Sequence, residues 1–488
     1  MTALEKRLLR ENEQLREQLD AAMKEIAILK ALVAEMSEKL NQNSQNSSKP
    51  PSSDGYKKPA PKSLRKGTGK LAGGQKGHPG KTLTINREPD ERIRHMPCGC
   101  GGCVNYERCV KYAQSEEKRY VVDAIIRVNI TAHEILTVKC PLCGEMKKAE
   151  FPEDVKAYVQ YGENLKALVI ALNTVGAVSV NRVHKILGSV FDIPLSTGMI
   201  SNTVSDFADQ IYEESHTIRR RISKADVVHF DETGIRINGK LKWIHVASTA
   251  DDTYLYLGPQ RGKKGMDTGK VLPVFDGIAV HDCWAPYWRY DIEHAVCCAH
   301  LLRELQGAAE NHPEQTWAPL FSDLLLQMKH FRDAAVEKGL HTLSNRRLSC
   351  FRKQYDAILK TAREENPLPE QPQGKRGRRK KGKLLSLIDR LDKYREEICL
   401  FTKNFSVPFD NNQAERDLRM LKVKAKVSGG FRSVDGADGF LRILSYLDTS
   451  KKQGISLFDA IRRVFRHAYF LSPIFTVLYR ELNSYIPL

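Results

Sequence analysis

HFDETG at residues 229–234, VHDCWAPY at 280–287 and DNNQAERDLRMLK at 410–422 each bring one carboxylate to the end of an apolar or helical pattern: Asp231, Asp282 and Glu415. Hard divalent cations such as Mg²⁺ take oxygen ligands, and two ions roughly 3.5–4 Å apart can clamp the attacking and leaving oxygens of a phosphodiester. Carboxylates this far apart in sequence can serve such a site only if the fold brings them together.

The stretches DVVHFDETGIRI, LKWIHVAST, DTYLYLG and GIAVHD, from Asp226 to Asp282, read as strands separated by short polar turns and predict a mixed sheet. On the first strand Asp231 shares a face with Val227 and His229, while alternation points Glu232 the other way, as a neighbour and not a ligand. Asp276 and Asp291 compete for the second carboxylate; Asp282 is preferred because it closes the apolar run GIAVHD. Between Asp282 and Glu415 lie 132 residues with helical periodicity, so a helical insertion interrupts the sheet domain. The insertion carries the basic loop PLPEQPQGKRGRRKKGK with Lys375, Arg376, Arg378, Arg379, Lys380, Lys381 and Lys383, a reading that favours phosphate contact. At its start, Cys297 and His300 of CCAH are candidates for bracing the insertion against the core.

A formal net charge of +18 over 488 residues makes nucleic acid the natural counter-ion. With no apolar run of membrane-spanning length and a charged N-terminus, the composition predicts a cytoplasmic protein. Residues 1–40 place Leu8, Leu15, Ala22, Leu29 and Met36 on one heptad seam and Asn12, Leu19, Ile26, Val33 and Leu40 on the other, the pattern of a coiled-coil helix that assembles a homo-oligomer. Residues 41–92 read as a flexible linker, basic from Lys57 to Lys81. Its GGQKGHPGKT departs from a phosphate-binding loop at Gln75 and follows no strand, so nucleotide binding is rejected. Residues 93–150 carry Cys100 and Cys103, then Cys140 and Cys143, two C-x-x-C pairs that suit one structural Zn²⁺, with Cys98 and Cys109 as substitutes. The alternation in YVVDAIIRVNITAHEILTVK predicts a hairpin joining the pairs as in a zinc ribbon. Residues 151–221 are helical and compatible with a helix-turn-helix that presents Ser201 and Asn202 to DNA.

These motifs, in this order, resemble the catalytic core of the insertion-sequence-66 family of bacterial DDE transposases, and the resemblance runs from the coiled coil to FLRILSYLDTSKKQG. It implies a ribonuclease-H-like α/β core at residues 222–303 and 405–488, split by a helical insertion at 304–404. It also implies Asp231, Asp282 and Glu415 as the metal-binding triad for two Mg²⁺ or Mn²⁺ ions. Implied partners are double-stranded DNA, both element ends and target, and small accessory proteins. The chain departs from the family pattern at Cys283 and Trp284, where Gly and Tyr are usual. A non-catalytic DNA-binding regulator descended from such an enzyme is the competing reading.

The cysteine spacing predicts one zinc per chain after purification without added metal, lost in a Cys140→Ser/Cys143→Ser variant. A folded, metal-free wild-type protein by elemental analysis would sink this assignment.

Overall fold

The computed structural model describes residues 2–43, 45–47, 85, 88–93, 95–96, 102–113, 118–123, 127–153, 155–368 and 382–466. It divides into two compact units, Pro61–Glu134 and Met1–Ala60 with Ile135–Leu488. That boundary falls inside the segment expected as one zinc module, between its two cysteine pairs. The smaller unit holds one short helix, α2 (Tyr106–Tyr112). No strand forms over residues 118–123 or 127–134, although their sequence alternates: Val121 and Ile130 are almost fully exposed, so there is no buried face to fix a ladder.

The larger unit begins with α1 (Ala3–Asn41), whose apolar residues Leu15, Leu19, Ile26, Leu29 and Val33 all lie exposed along it. A small antiparallel hairpin, β1 (Thr137–Lys139) and β2 (Met146–Lys148), precedes a helical group. That group comprises α3 (Glu163–Ile170), which runs on through a π-helical turn, α4 (Val180–Val190), α5 (Thr197–Gln210) and α6 (Tyr212–Ile222). The turn between α4 and α5 ends on Ser196, whose hydroxyl accepts from Met199 N–H at 3.1 Å and caps α5. Ser201 and Asn202 are exposed on α5.

The centre is a five-stranded mixed sheet of β3 (Val227–Ile237), β4 (Lys240–Ser248), β5 (Thr253–Gly258), β6 (Ile278–His281) and β7 (Glu293–Val296), in the order β5-β4-β3-β6-β7. β3, β4 and β5 pair antiparallel; β6 and β7 pair parallel to β3 and to each other. Asn238 and Gly239, both at positive φ (48° and 72°), close the β3–β4 hairpin, as a two-residue turn requires. All four residues of β6 are buried, as befits a parallel strand covered on both faces. The short helix α7 (Lys263–Asp267) follows β5.

One face of β3 and β4 packs Ile235, Ile237, Ile244 and Val246 against α13 (Asn412–Asp417), α14 (Arg419–Ser428) and α15 (Val434–Lys452) through Ala414, Leu421, Phe440 and Leu444. The other face packs Val228 and Phe230 against α6 and the aromatic residues Phe275, Tyr287 and Tyr290. At the edge, Thr253 N–H donates to Thr449 Oγ1 and Leu255 N–H to Ser445 Oγ, each at 2.9 Å, so α15 satisfies the outward amides of β5. The last helix among the described residues, α16 (Leu457–Phe465), lies against α3.

Between β7 and α13 stand α8 (Cys298–Asn311), α9 (Trp317–Val336), α10 (Asn345–Glu365), α11 (Lys383–Lys393) and α12 (Arg395–Lys403). Their core of Trp317, Phe321, Tyr355, Ile398 and Phe401 is continuous with Ile278 and Val280 of β6, so the insertion is welded to the sheet. Of its basic loop, Lys375 to Lys381 lie outside the described residues. Among the described residues no helix is long and apolar enough to cross a membrane.

Asn43 and residues 45–47, expected as part of a flexible linker, instead fold onto α8. Asn46 is buried and its amide donates to Glu310 Oε2 and Asn41 O at 2.8 and 2.9 Å; Asn41 also bonds Asn311. Gly307 provides the seat, since a Cβ there would stand 2.2 Å from Asn46 O. A helical Gly→Ala change ordinarily stabilises by about 1 kcal/mol. Gly307→Ala is therefore expected to keep α8 intact while releasing residues 41–47, seen as faster amide hydrogen exchange confined to that segment. Unchanged exchange there would refute the seat.

Candidate active site

β3 and β6 run parallel with His229 paired to Val280, and two residues further along the same register stand Asp231 and Asp282. Asp231 lies within β3 and Asp282 directly follows β6, so the parallel register carries both toward the same end of these neighbouring strands. Asp231 Oδ1 accepts from Glu232 N–H at 2.8 Å, and Asp282 Oδ1 from Trp284 N–H at 3.1 Å. Burial pushes the Asp231 carboxyl well above the ordinary aspartate range, and the charges of Glu232, Asp282 and Glu415 add to the rise. Burial likewise raises Asp282. Asp276 and Asp291, the competitors considered from sequence, stand outside β6, whereas Asp282 directly follows it.

Glu415 comes from α13. Its Oε1 lies 3.4 Å from Arg303 Nη2 and 3.8 Å from His300 Nε2, both on α8. Burial depresses His300 to about 3, so its ring is neutral and only Arg303 offers Glu415 a charge. His300 Nδ1 faces Cys297 Sγ at 3.2 Å; burial pushes that thiol up to about 12, which leaves it protonated. Cys297 Sγ in turn accepts from Asn411 N–H at 3.1 Å, so the Cys-x-x-His pair ties the insertion to the segment that carries Glu415.

Asn411 holds α13 to the sheet. It stands at the N-cap, yet its side chain makes no capping bond. Instead its amide donates to Phe230 O at 2.7 Å and its Oδ1 accepts from His229 Nδ1–H at 2.8 Å, with the residue 1% exposed. The far end of α13 is fixed by Asp417, whose Oδ2 accepts from Ser248 Oγ (2.6 Å), Thr253 Oγ1 (3.0 Å) and Lys452 Nζ (2.7 Å). Gln413 adds a bond to Thr249 O at 2.6 Å. Sequence patterns did not single out Asn411, Asp417 or Arg303. The available signals were an asparagine at a helix start and an arginine one helical turn after His300.

Cys283 follows Asp282 at φ 68°, a conformation natural to glycine and strained by about 1–2 kcal/mol for other residues. Its side chain is nevertheless buried against the insertion core. Glu232 lies on the face opposite Asp231, buried, and accepts from Tyr287 O–H at 2.9 Å and from Arg261 Nε at 2.8 Å.

Among the described residues no three Asp, Glu, His or Cys side chains close on a common point ready to hold an ion. With Glu415 turned toward Arg303, the carboxylates nearest one another are like charges with raised pKa values. That donor set, hard oxygens whose mutual repulsion a divalent cation would relieve, fits Mg²⁺ or Mn²⁺.

Of the cysteine pairs, Cys100 and the substitute Cys98 lie outside the described residues. Cys103 and Cys109 are exposed in the smaller unit. Cys140 and Cys143 sit in the β1–β2 turn, where Cys140 N–H bonds Glu145 O at 2.8 Å, Gly144 N–H bonds Cys140 O at 2.9 Å, and Gly144 takes φ 74°. The backbone N–H groups of Cys143 and Leu142, then the Cys143 side chain, hold the Cys140 thiol below its usual value.

Residues 158–439 match the model of the Transposase IS66 family. The match takes in more than half of the chain, and the chain belongs to this family. Residues 3–84 match a family of unknown function (DUF6444). A search of curated proteins finds no match. The family is one of transposases, whose chemistry is DNA cleavage and strand transfer and whose partner is DNA; such enzymes generally use a divalent metal.

Glu232 is raised to about 7, first by burial and then by Asp282. A carboxyl whose folded pKa lies above its unfolded one contributes stability that is full below the unfolded value and is lost as pH rises through the folded value. The metal-free protein should therefore lose melting temperature between about pH 5 and pH 8 on account of this cluster, and millimolar Mg²⁺ should restore it at the upper end. In Asp231→Asn the metal response should vanish. A wild-type melting temperature indifferent to Mg²⁺ and Mn²⁺ at pH 8 would refute the cation site.

Proposed function

We propose that this chain is a catalytically competent transposase that binds the ends of a bacterial insertion sequence, cleaves there, and joins the freed end to target DNA. The observation that carries this reading is the placement of Asp231 on β3 and of Asp282 directly after the adjacent parallel strand β6, with the charges of Asp282 and Glu415 both acting on Asp231. The strand order, three antiparallel strands followed by two parallel ones, supports a ribonuclease-H-like core.

In this reading Asp231, Asp282 and Glu415 would hold two Mg²⁺ or Mn²⁺ ions. The ions would supply a Lewis-acid clamp on the scissile phosphodiester. The chain's own residues do the rest. Asn411 and Asp417 fix α13, so that Glu415 needs only to leave Arg303 to face the two aspartates. Arg303, once released, remains beside the site as a cation for phosphate. In the first step water attacks the phosphodiester and a 3′-hydroxyl leaves; in the second that hydroxyl attacks a target phosphodiester and displaces the strand end there. One set of carboxylates serves both in-line displacements.

The remaining elements take supporting roles. The exposed seam of α1 pairs with a second copy of the chain, the cysteine pairs hold structural zinc, and the linker, the insertion loop and α5 contact DNA. Small accessory proteins complete the assembly, in the cytoplasm. From Glu415 onward Arg416, Arg419, Lys422 and Lys426 stand exposed on α13 and α14, which suits a helix running along a phosphate backbone.

Asp231→Asn, Asp282→Asn and Glu415→Gln should each lower Mg²⁺-dependent cleavage and joining of the element's own ends by about a thousandfold or more, with duplex binding retained. Any one of these variants joining ends at the wild-type rate would show that its carboxylate has been assigned wrongly.

A further inference from the structure

A second cation, in addition to Arg303, reaches the carboxylates from outside the elements that carry them. Arg261, in the loop after β5, places Nε and Nη2 each 2.8 Å from Glu232 Oε1. The Glu232 side chain is 1% exposed, and its other oxygen already accepts from Tyr287 O–H. The guanidinium lies between two indoles, 4.1 Å from the Trp284 ring and 5.2 Å from the Trp243 ring. Trp284 stands two residues beyond Asp282 and donates its backbone N–H to that carboxylate, so the stack is delivered to the rim of the site. The charge of Arg261 acts on Asp282 itself.

A counter-ion needed only to neutralise Glu232 would be enclosed with it. Arg261 is instead 41% exposed, and its Nη1 meets no acceptor among the described residues. Bonded through Nε and Nη2 to a buried carboxylate and in contact with two indoles, the guanidinium is restrained in the free protein while the side chain stays partly exposed. That arrangement suits bidentate or edge-on capture of a phosphate oxygen, because the entropy of ordering the side chain is already met in the free protein.

We infer that Arg261 is a phosphate-binding residue of this site, presented by Glu232, Trp243 and Trp284 to a DNA phosphodiester lying beside Asp282. The inference rests on the transposase reading and extends it. Glu232 becomes a positioning residue, which acts through Arg261 although it lies on the strand face opposite Asp231, and its replacement would not be silent.

The test is equilibrium binding of the full-length chain to duplex DNA of arbitrary sequence, without added divalent ion, across a range of salt concentrations. Loss of one phosphate contact lowers the slope of log affinity against log salt by about 0.9. Arg261→Gln strands a buried carboxylate and is open to misfolding, so Glu232→Gln/Arg261→Gln, which removes both charges together, is measured beside it, with melting curves for each. A folded double variant whose slope falls by about 0.9 supports the assignment. Wild-type binding with an unchanged slope in the folded double variant overturns this inference alone. A wild-type chain that binds no duplex overturns it together with the transposase reading.

Discussion

The side chain of Asn411 joins parts of the chain 181 residues apart, donating to the carbonyl of Phe230 while accepting from His229. A buried amide with both ends satisfied is costly to displace, since either orphaned partner would be left without water. Asp231 lies one residue beyond Phe230 and Glu415 one helical turn beyond Asn411. This pair of hydrogen bonds is thus the joint nearest to both carboxylates, and the bonds of Gln413 and Asp417 hold the rest of α13 against their repulsion.

The insertion is part of this mechanical arrangement. Its first helix, α8, holds Asn411 through Cys297, Glu415 through Arg303 and, at its far end, Asn46 through Gly307. The large apolar core formed with β6 makes α8 a rigid bar between the site and the segment that follows α1. A helical domain between the last strand and the glutamate helix thus fixes the geometry of the carboxylates as directly as the sheet does.

Four of the five sheet strands were legible as runs of alternating or continuous apolar residues, because each buries at least one face. The fifth, β7, spans only Glu293–Val296, too short to show a period. Residues 118–123 and 127–134 mislead in the opposite sense: they alternate, but with both faces exposed the alternation produces no ladder. TGMISNTVSDFADQIYEES reads as one helix, whereas the structure breaks it at Ile211, where α6 turns onto the sheet. In the candidate site, Asp282 stood out because it closes an apolar run, and Asp231 and Glu415 because their motifs resemble those of a transposase family. Asn411, Asp417 and Arg261 did not, since their partners lie on other elements and no periodicity encodes a contact between a loop and a distant strand.

The hydroxyls of Ser445 and Thr449 close the outer edge of β5, and α12 abuts β7 at the other side of the sheet. Neither margin offers a free ladder to an extended segment from another polypeptide. Any polypeptide that meets this sheet at its margins must therefore do so through helices and loops. Contacts of that kind can form and dissolve without a strand exchange that would tie the partners together.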